Sequence, residues 1–350
     1  MAPRGRANGP RHLSWVWQFS RDGPPEQVVS LLAQHNLGVL MKSHDGTDWM
    51  SRYDASPYAV SGPDQLAVLA AYFETYGVPF HTWSVVKGVD PKLEAELCAQ
   101  DIAAGARSVT VDLEPHAGFW SGTPEDAGTF GREFRQRQPA AILYVSVDPR
   151  PWVLTRVPVA EFASFAQGFV PQVYWETFNS PENRRRFQES GFPPPEQGVT
   201  PEFLLDVART VLAPYRLPVL PAGQGASTNM DAWRGFMGRA TALSMTPVSV
   251  WRHGVTGNDV WELLSGVAPS PALAIGVTAR VANTGSCLNV REAPRTAAAV
   301  RACLLDGTTV VVRDGPVDAD GYRWWFIEAQ TASGWSAEGA GGVLWLVPAG

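Results

Sequence analysis

The feature that most constrains this chain is a regular alternation of short apolar runs with longer amphipathic segments between residues 12 and 265. The apolar runs have the length of strands, and the amphipathic segments have the 3.6-residue period of helices. The eight runs are 12–20, 38–44, 78–86, 107–114, 140–147, 168–176, 217–222 and 246–253. The predicted helices are 25–36, 62–76, 90–104, 124–137, 158–166, 200–215, 229–243 and 257–265. Such an alternation is typical of parallel βαβ units.

Several of the amphipathic segments begin with residues that favour the N-terminus of a helix. These starts are Asp90-Pro91, Thr123-Pro124, Thr200-Pro201 and Asn229. Eight βα units in roughly 260 residues match the size of a closed barrel, so we predict a (β/α)8 TIM barrel over residues 12–265. An open doubly wound sheet is the alternative, but no Gly-rich phosphate loop follows the first run.

The pattern changes after residue 265. Residues 266–274 are rich in Pro and Ala and are predicted to be a linker, and residues 1–11 are predicted to be an N-terminal tail. Short β-rich runs separated by glycines then follow, which predicts a small all-β barrel domain over 275–350. The runs are 277–282, 286–291, 298–304, 308–313, 322–328 and 343–347.

Composition excludes several classes of protein. The hydrophobic share of 45% and the charged share of 18% are those of a globular chain, and the net charge of −6 offers no basic surface for nucleic acid. No run approaches the roughly 18 apolar residues of a membrane span. The charged N-terminus is not followed by the apolar core of a signal peptide. The three cysteines and six histidines show no metal-ligand spacing, so we predict neither a metal nor a cofactor.

The strongest chemical signal is the pair Asp112 and Glu114 at the end of the fourth run. Side chains alternate along a strand, so both carboxyl groups point the same way, about 7 Å apart along the strand. Barrel enzymes place their reactive groups at the C-terminal ends of strands. Two neighbouring carboxyl groups suit glycoside cleavage, since one can stay protonated as the acid while the other stabilises or attacks the positive centre.

Two further segments accompany this pair. The sixth run contains Tyr174 in the segment PQVYW (171–175), and the eighth contains Trp251 in the segment VWR (250–252). Together the three features resemble the barrels of chitinase-type glycoside hydrolase family 18, and the acidic pair also resembles lysozyme-type family 25. The resemblance implies that Glu114 is the general acid and that Asp112 orients a substrate acetamide that acts as the nucleophile. It also implies that Tyr174 donates a hydrogen bond to that acetamide and that Trp251 stacks on the sugar ring.

The chain also departs from both families. Where the chitinase pattern carries further aspartates, this chain has Arg107 and Thr110. Where the lysozyme family has an acid at the end of the first strand, it has Gln18 and Ser20, and Asp22 follows only in the loop. The barrel of this chain therefore resembles the glycoside hydrolase superfamily as a divergent example, rather than either family in particular.

Polar and aromatic residues near other strand ends are predicted to contact the substrate. They are Gln172, Trp83, Lys42, His44, Asp45, Tyr144 and Gln224, with Ser146 as a further candidate. For Lys42 and Asp45 a loop salt bridge is an equal alternative. Glu176 is a second choice for the acid, and His253 is interpreted as a structural residue. The segment 177–199 is predicted to be a long loop of the active face.

The C-terminal segment carries a dense motif. It consists of Leu288-Asn289-Val290-Arg291, Asp306-Gly307-Thr308, Gly321-Tyr322, Trp324-Trp325 and Gly334-Trp335. This motif resembles the bacterial SH3 domain, which implies attachment to a cell wall or another surface, or a role as a structural spacer. In such a domain Cys287 and Cys303 can lie on neighbouring strands and form a disulfide, and two separate buried thiols are the alternative. A bridge would favour an extracellular or cell-surface location. Cys98 is predicted to be a core residue.

Two hypotheses of function remain open. The first is a glycoside hydrolase that cleaves an amino-sugar polysaccharide, such as a cell-wall glycan or a chitin-like polymer, and is targeted by the SH3-like domain. The second is a non-catalytic glycan-binding or assembly protein of a phage, tail-like particle or surface layer, with a protein partner bound through the SH3-like domain. An enzyme acting on another polysaccharide is a third possibility.

Overall fold

The structure is a computed structural model and describes residues 11–266, 273–340 and 343–348. The chain divides between Gly266 and Val267 into two compact units. The predicted N-terminal tail, 1–11, and the predicted linker, 266–274, lie mostly outside the described residues. Within the described ranges no helix is long and apolar enough to cross a membrane.

The first unit is a closed barrel of eight parallel strands. Each strand pairs with the next, and the first strand pairs with both the second and the eighth, which closes the ring and confirms the predicted fold class. The strands are β1 (Leu13–Val16), β2 (Gly38–Asp45), β3 (Phe80–Val85), β4 (Val109–Leu113), β5 (Leu143–Val147), β6 (Gly168–Val173), β7 (Ala222–Gln224) and β8 (Ser249–Trp251). A two-residue strand, Asp48–Trp49, pairs antiparallel with the end of β2.

Helices surround the barrel, and each of the eight predicted helices begins within one residue of its predicted start. The short helices Phe19–Asp22 and Pro151–Leu154 correspond to no predicted helix. The side chains of Asp90, Thr123, Thr200 and Asn229 each accept a backbone N–H group of the first helical turn, which satisfies donors that the helix itself leaves unpaired. The helices are Phe19–Asp22, Pro25–Gln34, Pro63–Thr75, Pro91–Ala103, Pro124–Arg137, Pro151–Leu154, Val159–Ala163, Pro181–Glu189, Pro201–Leu212, Met230–Ala242 and Asn258–Ser265. Short 3-10 turns span Met50–Arg52, Ala213–Tyr215 and His253–Val255.

Two further segments differ from the prediction. The seventh apolar run, 217–222, overlaps β7 only at its last residue, because Pro218 and Pro221 have no N–H group for a regular ladder. Between these prolines, the N–H group of Leu220 still donates to the carbonyl of Phe169 in β6 at 2.8 Å. The predicted loop 177–199 contains the helix Pro181–Glu189, which Ser180 caps.

The barrel interior positions the site. Trp15 and Trp83 are buried inside the ring of strands, and each contacts Trp251 edge to face, with ring centroids 5.6 and 5.3 Å apart. The indole N–H groups of Trp15 and Trp83 donate to Ser249 Oγ and to the carbonyl of Val16 at 2.9 and 3.0 Å. These contacts fix the three indoles in place inside the barrel.

The second unit is an antiparallel all-β half-barrel with a seven-stranded sheet. The strands are β9 (Thr278–Val281), β10 (Cys287–Arg291), β11 (Val300–Leu305), β12 (Thr309–Ala319), β13 (Tyr322–Ala329), β14 (Ser333–Ala337) and β15 (Leu346–Pro348). Their order in the sheet is β11-β10-β14-β13-β12-β9-β15. A two-stranded ribbon pairs Gly339–Ala340 with Val343–Leu344. A disulfide joins Cys287 on β10 to Cys303 on β11, with Cα atoms 5.5 Å apart.

Candidate active site

A cavity of about 480 Å³ opens at the carboxyl ends of the barrel strands. Its volume is within the range of roughly 300–1,000 Å³ that is usual for small-molecule sites. Most of the predicted site residues line it: Asp112, Glu114, Tyr174, Trp251, Gln172, Trp83, Lys42 and Asp45, together with Ser146. Strands β1 to β6 and strand β8 contribute residues to the cavity lining, either directly or through the loops that follow them.

Asp112 and Glu114 are held together by one amide group. Gln172 Nε2 donates to Glu114 Oε1 at 2.6 Å and approaches Asp112 Oδ1 at 3.4 Å. Ser146 Oγ donates to the same oxygen of Asp112 at 2.9 Å. Gln172, which the sequence suggested as a substrate contact, therefore lies against the two carboxyl groups and fixes their orientation.

Burial raises the pKa of both acids. The pKa of Asp112 rises because the side chain is desolvated and because Glu114 is close, and the pKa of Glu114 rises chiefly because of burial. Two like charges cannot both form easily in a shared apolar site. The pair therefore retains a proton at a pH where free carboxylic acids are ionised, and its protons belong to both groups together.

The cations around the cavity are paired with other carboxylates. Arg252 forms an ion pair with Asp22, and Arg150 forms one with Asp148 at 2.5 Å. Lys42 pairs with Asp45 at 2.6 Å. Among residues 11–266, neither Asp112 nor Glu114 forms an ion pair with Lys or Arg, and His116 Nε2 lies 3.7 Å from Glu114 Oε2. The charges of Asp148 and Arg150 also act on the pKa of Glu114, and the charge of Lys42 acts on the pKa of Asp112. The acidic pair is thus available to a ligand.

Tyr174 presents a hydroxyl group beside the acids. Burial and the neighbouring carboxylates Asp112 and Glu114 hold the pKa of Tyr174 well above its ordinary value, so the phenol remains a hydrogen-bond donor. No side-chain hydrogen bond of Tyr174 occurs within the described barrel residues, and the side chain lines the cavity. Trp251, at the end of β8, provides an aromatic surface in the same cavity.

A β-bulge in β2 decides which side chains enter the cavity. Lys42 faces Trp83 of β3 and Asp45 faces Val85, so two residues of β2, Ser43 and His44, lie opposite one residue of β3. Both Ser43 and His44 consequently turn toward the helix Pro91–Ala103, where Ser43 Oγ donates to Asp101 at 2.6 Å and His44 Nε2 lies 3.5 Å from Cys98 Sγ. The structure therefore places Asp45 in the cavity and His44 outside it.

Two other predicted substrate contacts also lie outside the cavity. Tyr144 is two residues before Ser146 on β5, so it points into the barrel one layer deeper, where it borders a separate small cavity of about 30 Å³. Gln224 accepts the N–H groups of Glu176 and Thr177 and donates to the Glu176 carboxylate at 3.2 Å. This contact, together with Ser227 at 2.5 Å, occupies Glu176, the second-choice acid. His253 is buried, with Nδ1 3.3 Å from Ser14 Oγ.

Seven further residues line the cavity: Trp15, Trp17, Gln18, Met50, Tyr53, Val85 and Phe119. Trp17 could have been predicted, because it follows Trp15 by two residues in the first apolar run and alternate residues of an extended run point the same way. Met50, Tyr53 and Phe119 come from loops. Their place depends on how those loops fold over the barrel mouth, and no local pattern in the sequence indicates it.

No protein-family model and no curated protein matches this chain. Among solved structures, the chain is similar to a glycoside hydrolase family 18 N-acetylglucosaminidase from Paenibacillus barengoltzii, with 8% identity, 73% of this chain and 98% of that chain covered, and a TM-score of 0.50. It is also similar to active domain 2 of a thermostable chitinase from Pyrococcus furiosus, with 10% identity, 73% and 93% coverage and a TM-score of 0.48. A third similar structure is the glycoside hydrolase domain of PgaB from Bordetella bronchiseptica, with 10% identity, 73% of this chain and 98% of that chain covered, and a TM-score of 0.45. At this level of identity the similarity shows the barrel fold alone.

Proposed function

We propose that the barrel hydrolyses a glycosidic bond in an amino-sugar polysaccharide, with Glu114 as the general acid and Asp112 as its partner. The observation that carries the proposal is the arrangement of the two acids. They share one cavity and one amide donor, Gln172, and no Lys or Arg of the described barrel forms an ion pair with either. Their raised pKa values supply the one protonated carboxyl group that the cleavage requires.

The chemistry follows the substrate-assisted form of retaining cleavage. Glu114 gives its proton to the glycosidic oxygen as the bond from that oxygen to the anomeric carbon breaks. The acetamide oxygen of the same sugar attacks the anomeric carbon, while Asp112 accepts the acetamide N–H group and Tyr174 donates to the acetamide oxygen. Water then attacks the anomeric carbon and loses a proton to the Glu114 carboxylate, which restores the acetamide and the acid.

The aromatic residues support a sugar ligand in this proposal. The apolar face of a pyranose ring packs against an indole. Trp251 is the last residue of β8, and its side chain lines the cavity. Trp15 and Trp83 contact Trp251 from within the barrel and so limit its movement. We assign Trp251 as the surface on which the sugar that is cleaved stacks.

For the second unit we propose a bacterial SH3 type of domain that attaches the enzyme to its polymer. It has a cavity of its own, of about 280 Å³, bordered by Tyr322, Trp324 and Trp345 and by the polar side chains of Asn289 and Arg291. Aromatic and hydrogen-bonding side chains together are suited to a polar polymer. The Cys287–Cys303 disulfide is consistent with work outside the cytosol.

The direct test is hydrolysis of chitin oligomers and peptidoglycan by the full chain and by Glu114→Gln. Loss of a general acid should lower kcat by roughly 10²- to 10⁴-fold. Glu176→Gln is the matched control, since Glu176 is held by Gln224 and Ser227 and should not take part. Equal activity of the Glu114→Gln chain and the unaltered chain would contradict the proposal. Binding of the polymer with no cleavage would support the alternative of a non-catalytic glycan-binding protein.

A further inference from the structure

We infer that the cavity selects an amino-sugar chain that bears a free carboxylate, and that Lys42 is the residue that recognises this group. The inference rests on the proposed function, because it names the substrate class of the same site. It is carried by the arrangement of Lys42, Asp45 and Lys87 at the edge of the cavity. The charge of Lys42 lowers the pKa of Asp112, but no hydrogen bond joins Lys42 to either acid within the described barrel residues.

The first observation is a balance of charge. Asp45 accepts from two ammonium groups, with Lys42 Nζ 2.6 Å from Oδ2 and Lys87 Nζ 2.6 Å from Oδ1. One carboxylate compensates one cation, so this group of three carries an excess positive charge. By contrast, Arg150 and Arg252 each have a carboxylate of their own, Asp148 and Asp22.

The second observation concerns the hydrogen bonds of Lys42. An ammonium group has three donors, and Lys42 uses one of them on Asp45. No other hydrogen bond of this ammonium group occurs within the described barrel residues. Only 5% of the side chain is exposed, and it lines the cavity. A buried cation with open donors gains most from an anionic acceptor, because a charge-assisted hydrogen bond is stronger than a neutral one.

The third observation is the position of the ammonium group relative to the proposed sugar surface. Lys42 Nζ stands 4.8 Å from the ring centroid of Trp83, and Trp83 contacts Trp251 with centroids 5.3 Å apart. A sugar stacked on Trp251 therefore has Lys42 on a neighbouring wall of the cavity. A carboxylate carried by that sugar, or by the next one in the chain, is the substituent that meets the ammonium group.

The test compares substrates that differ only in charge. The full chain is given peptide-free glycan strands with the free lactyl carboxylate of N-acetylmuramic acid, the same strands as methyl esters, neutral chitohexaose, and a hyaluronan oligosaccharide with a uronic carboxylate. We expect a higher kcat/KM for the acid strands than for the esters. In Lys42→Met the ratio of kcat/KM for the acid strands to kcat/KM for the ester strands should fall by roughly 10- to 100-fold, as expected for the loss of a hydrogen bond between charged groups. Lys87→Met, which removes a lysine that does not line the cavity, should lower the ratio less.

Equal cleavage of acid and ester by the unaltered chain would overturn the inference and leave the proposed function intact. A preference for hyaluronan over the muramic acid strands would support it and assign the carboxylate to a uronic acid. If no substrate is cleaved, the proposed function fails, and calorimetric binding of acid and ester strands decides the inference separately. If Lys42→Met does not fold, Asp45→Asn provides the second variant. It frees Lys42 from its partner and should raise the ratio, so a fall in the ratio would overturn the inference.

Discussion

Gln172 is the residue on which the two acids of the site depend together. Its amide donates at 2.6 Å to Glu114 and approaches Asp112 at 3.4 Å, and both contacts favour the ionised carboxylate. They therefore act against the burial that raises the pKa of each acid. The balance between burial and these two contacts sets how many protons the two carboxyl groups hold at a given pH.

The first prediction concerns Gln172→Leu. Removal of the donor disfavours the ionised forms, so the pKa values of Asp112 and Glu114 rise further, and the pair loses its last proton at a higher pH. The fall of kcat/KM on the alkaline side of the pH profile should consequently move to higher pH. Gln224→Leu is the control, because Gln224 bonds to Glu176 and not to the pair. An unchanged alkaline limb in Gln172→Leu would contradict this role.

The direction of Asp112 and Glu114 could be predicted from the sequence, since it follows from simple alternation along a regular strand. The sequence alone does not predict whether Lys42, His44 and Asp45 point into the cavity or toward the helices. The bulge in β2 turns His44 to the helix layer and Asp45 to the cavity, and a bulge depends on the pairing with β3 rather than on the residues of β2 alone. Gln224 was predicted as a substrate contact because it ends a strand, but its amide is used by the neighbouring loop.

At the scale of elements, an ion pair joins the short helix Phe19–Asp22, which follows β1, to Arg252, which follows β8. The Asp22 side chain is fully buried and accepts from Arg252, from the N–H group of Trp17 at 2.6 Å and from that of Gly254 at 3.0 Å. The same two strands share only two residue pairs in the sheet, Leu13 with Ser249 and Ser14 with Val250. Asp22 therefore contributes much of what holds this part of the barrel together.

The second prediction is that Asp22→Ala destabilises the barrel by roughly 3–5 kcal/mol, the usual effect of leaving a buried charge without its partner. The free energy of unfolding in urea measures it. Asp206→Ala is the matched control, since the Asp206–Arg239 pair is 45% and 38% exposed and should contribute at most about 1 kcal/mol. Equal losses in the two variants would show that Asp22 does not have this role.

Strand and helix positions were predictable where side-chain pattern and capping agree. Asp90, Thr123 and Thr200 marked helix starts that the structure confirms. The run at 217–222 misled because it is apolar enough for a strand but contains two prolines, which delay regular pairing until Ala222. The helix at Pro181–Glu189 was missed because its residues are mostly polar and show little apolar periodicity.

At the scale of the whole molecule, the barrel was predictable from eight repeats of strand and helix, because a repeat of that number closes a sheet on itself. The β-content of the second unit was predictable from its short runs and glycines. The order of its strands was not, since antiparallel strands of similar length and composition allow many pairings.

The third prediction concerns the disulfide of the second unit. The bridged cysteines are 16 residues apart. A disulfide that closes a loop of about that length restricts the conformations of the unfolded chain and so raises its free energy by roughly 3 kcal/mol. Replacing both Cys287 and Cys303 by Ser should therefore raise hydrogen exchange in strands β9 to β15 and leave exchange in the barrel strands unchanged. Cys98→Ala should act on the barrel instead, because Cys98 is buried there. Faster exchange in the barrel of the double variant would contradict this separation of effects.

The pairing of β1 with β8 has a consequence for how the chain folds during its synthesis. Trp15 and Ser249, which are bonded across this seam, lie 234 residues apart in the sequence. Strand β1 thus waits for the last barrel strand, β8, before one of its edges is covered, and the entropy of so long a loop makes this step late. In the interval the open edge of β1 and the indole N–H group of Trp15, whose acceptor is Ser249, have no partner from β8. Until the ring closes, this open edge makes the barrel prone to aggregate.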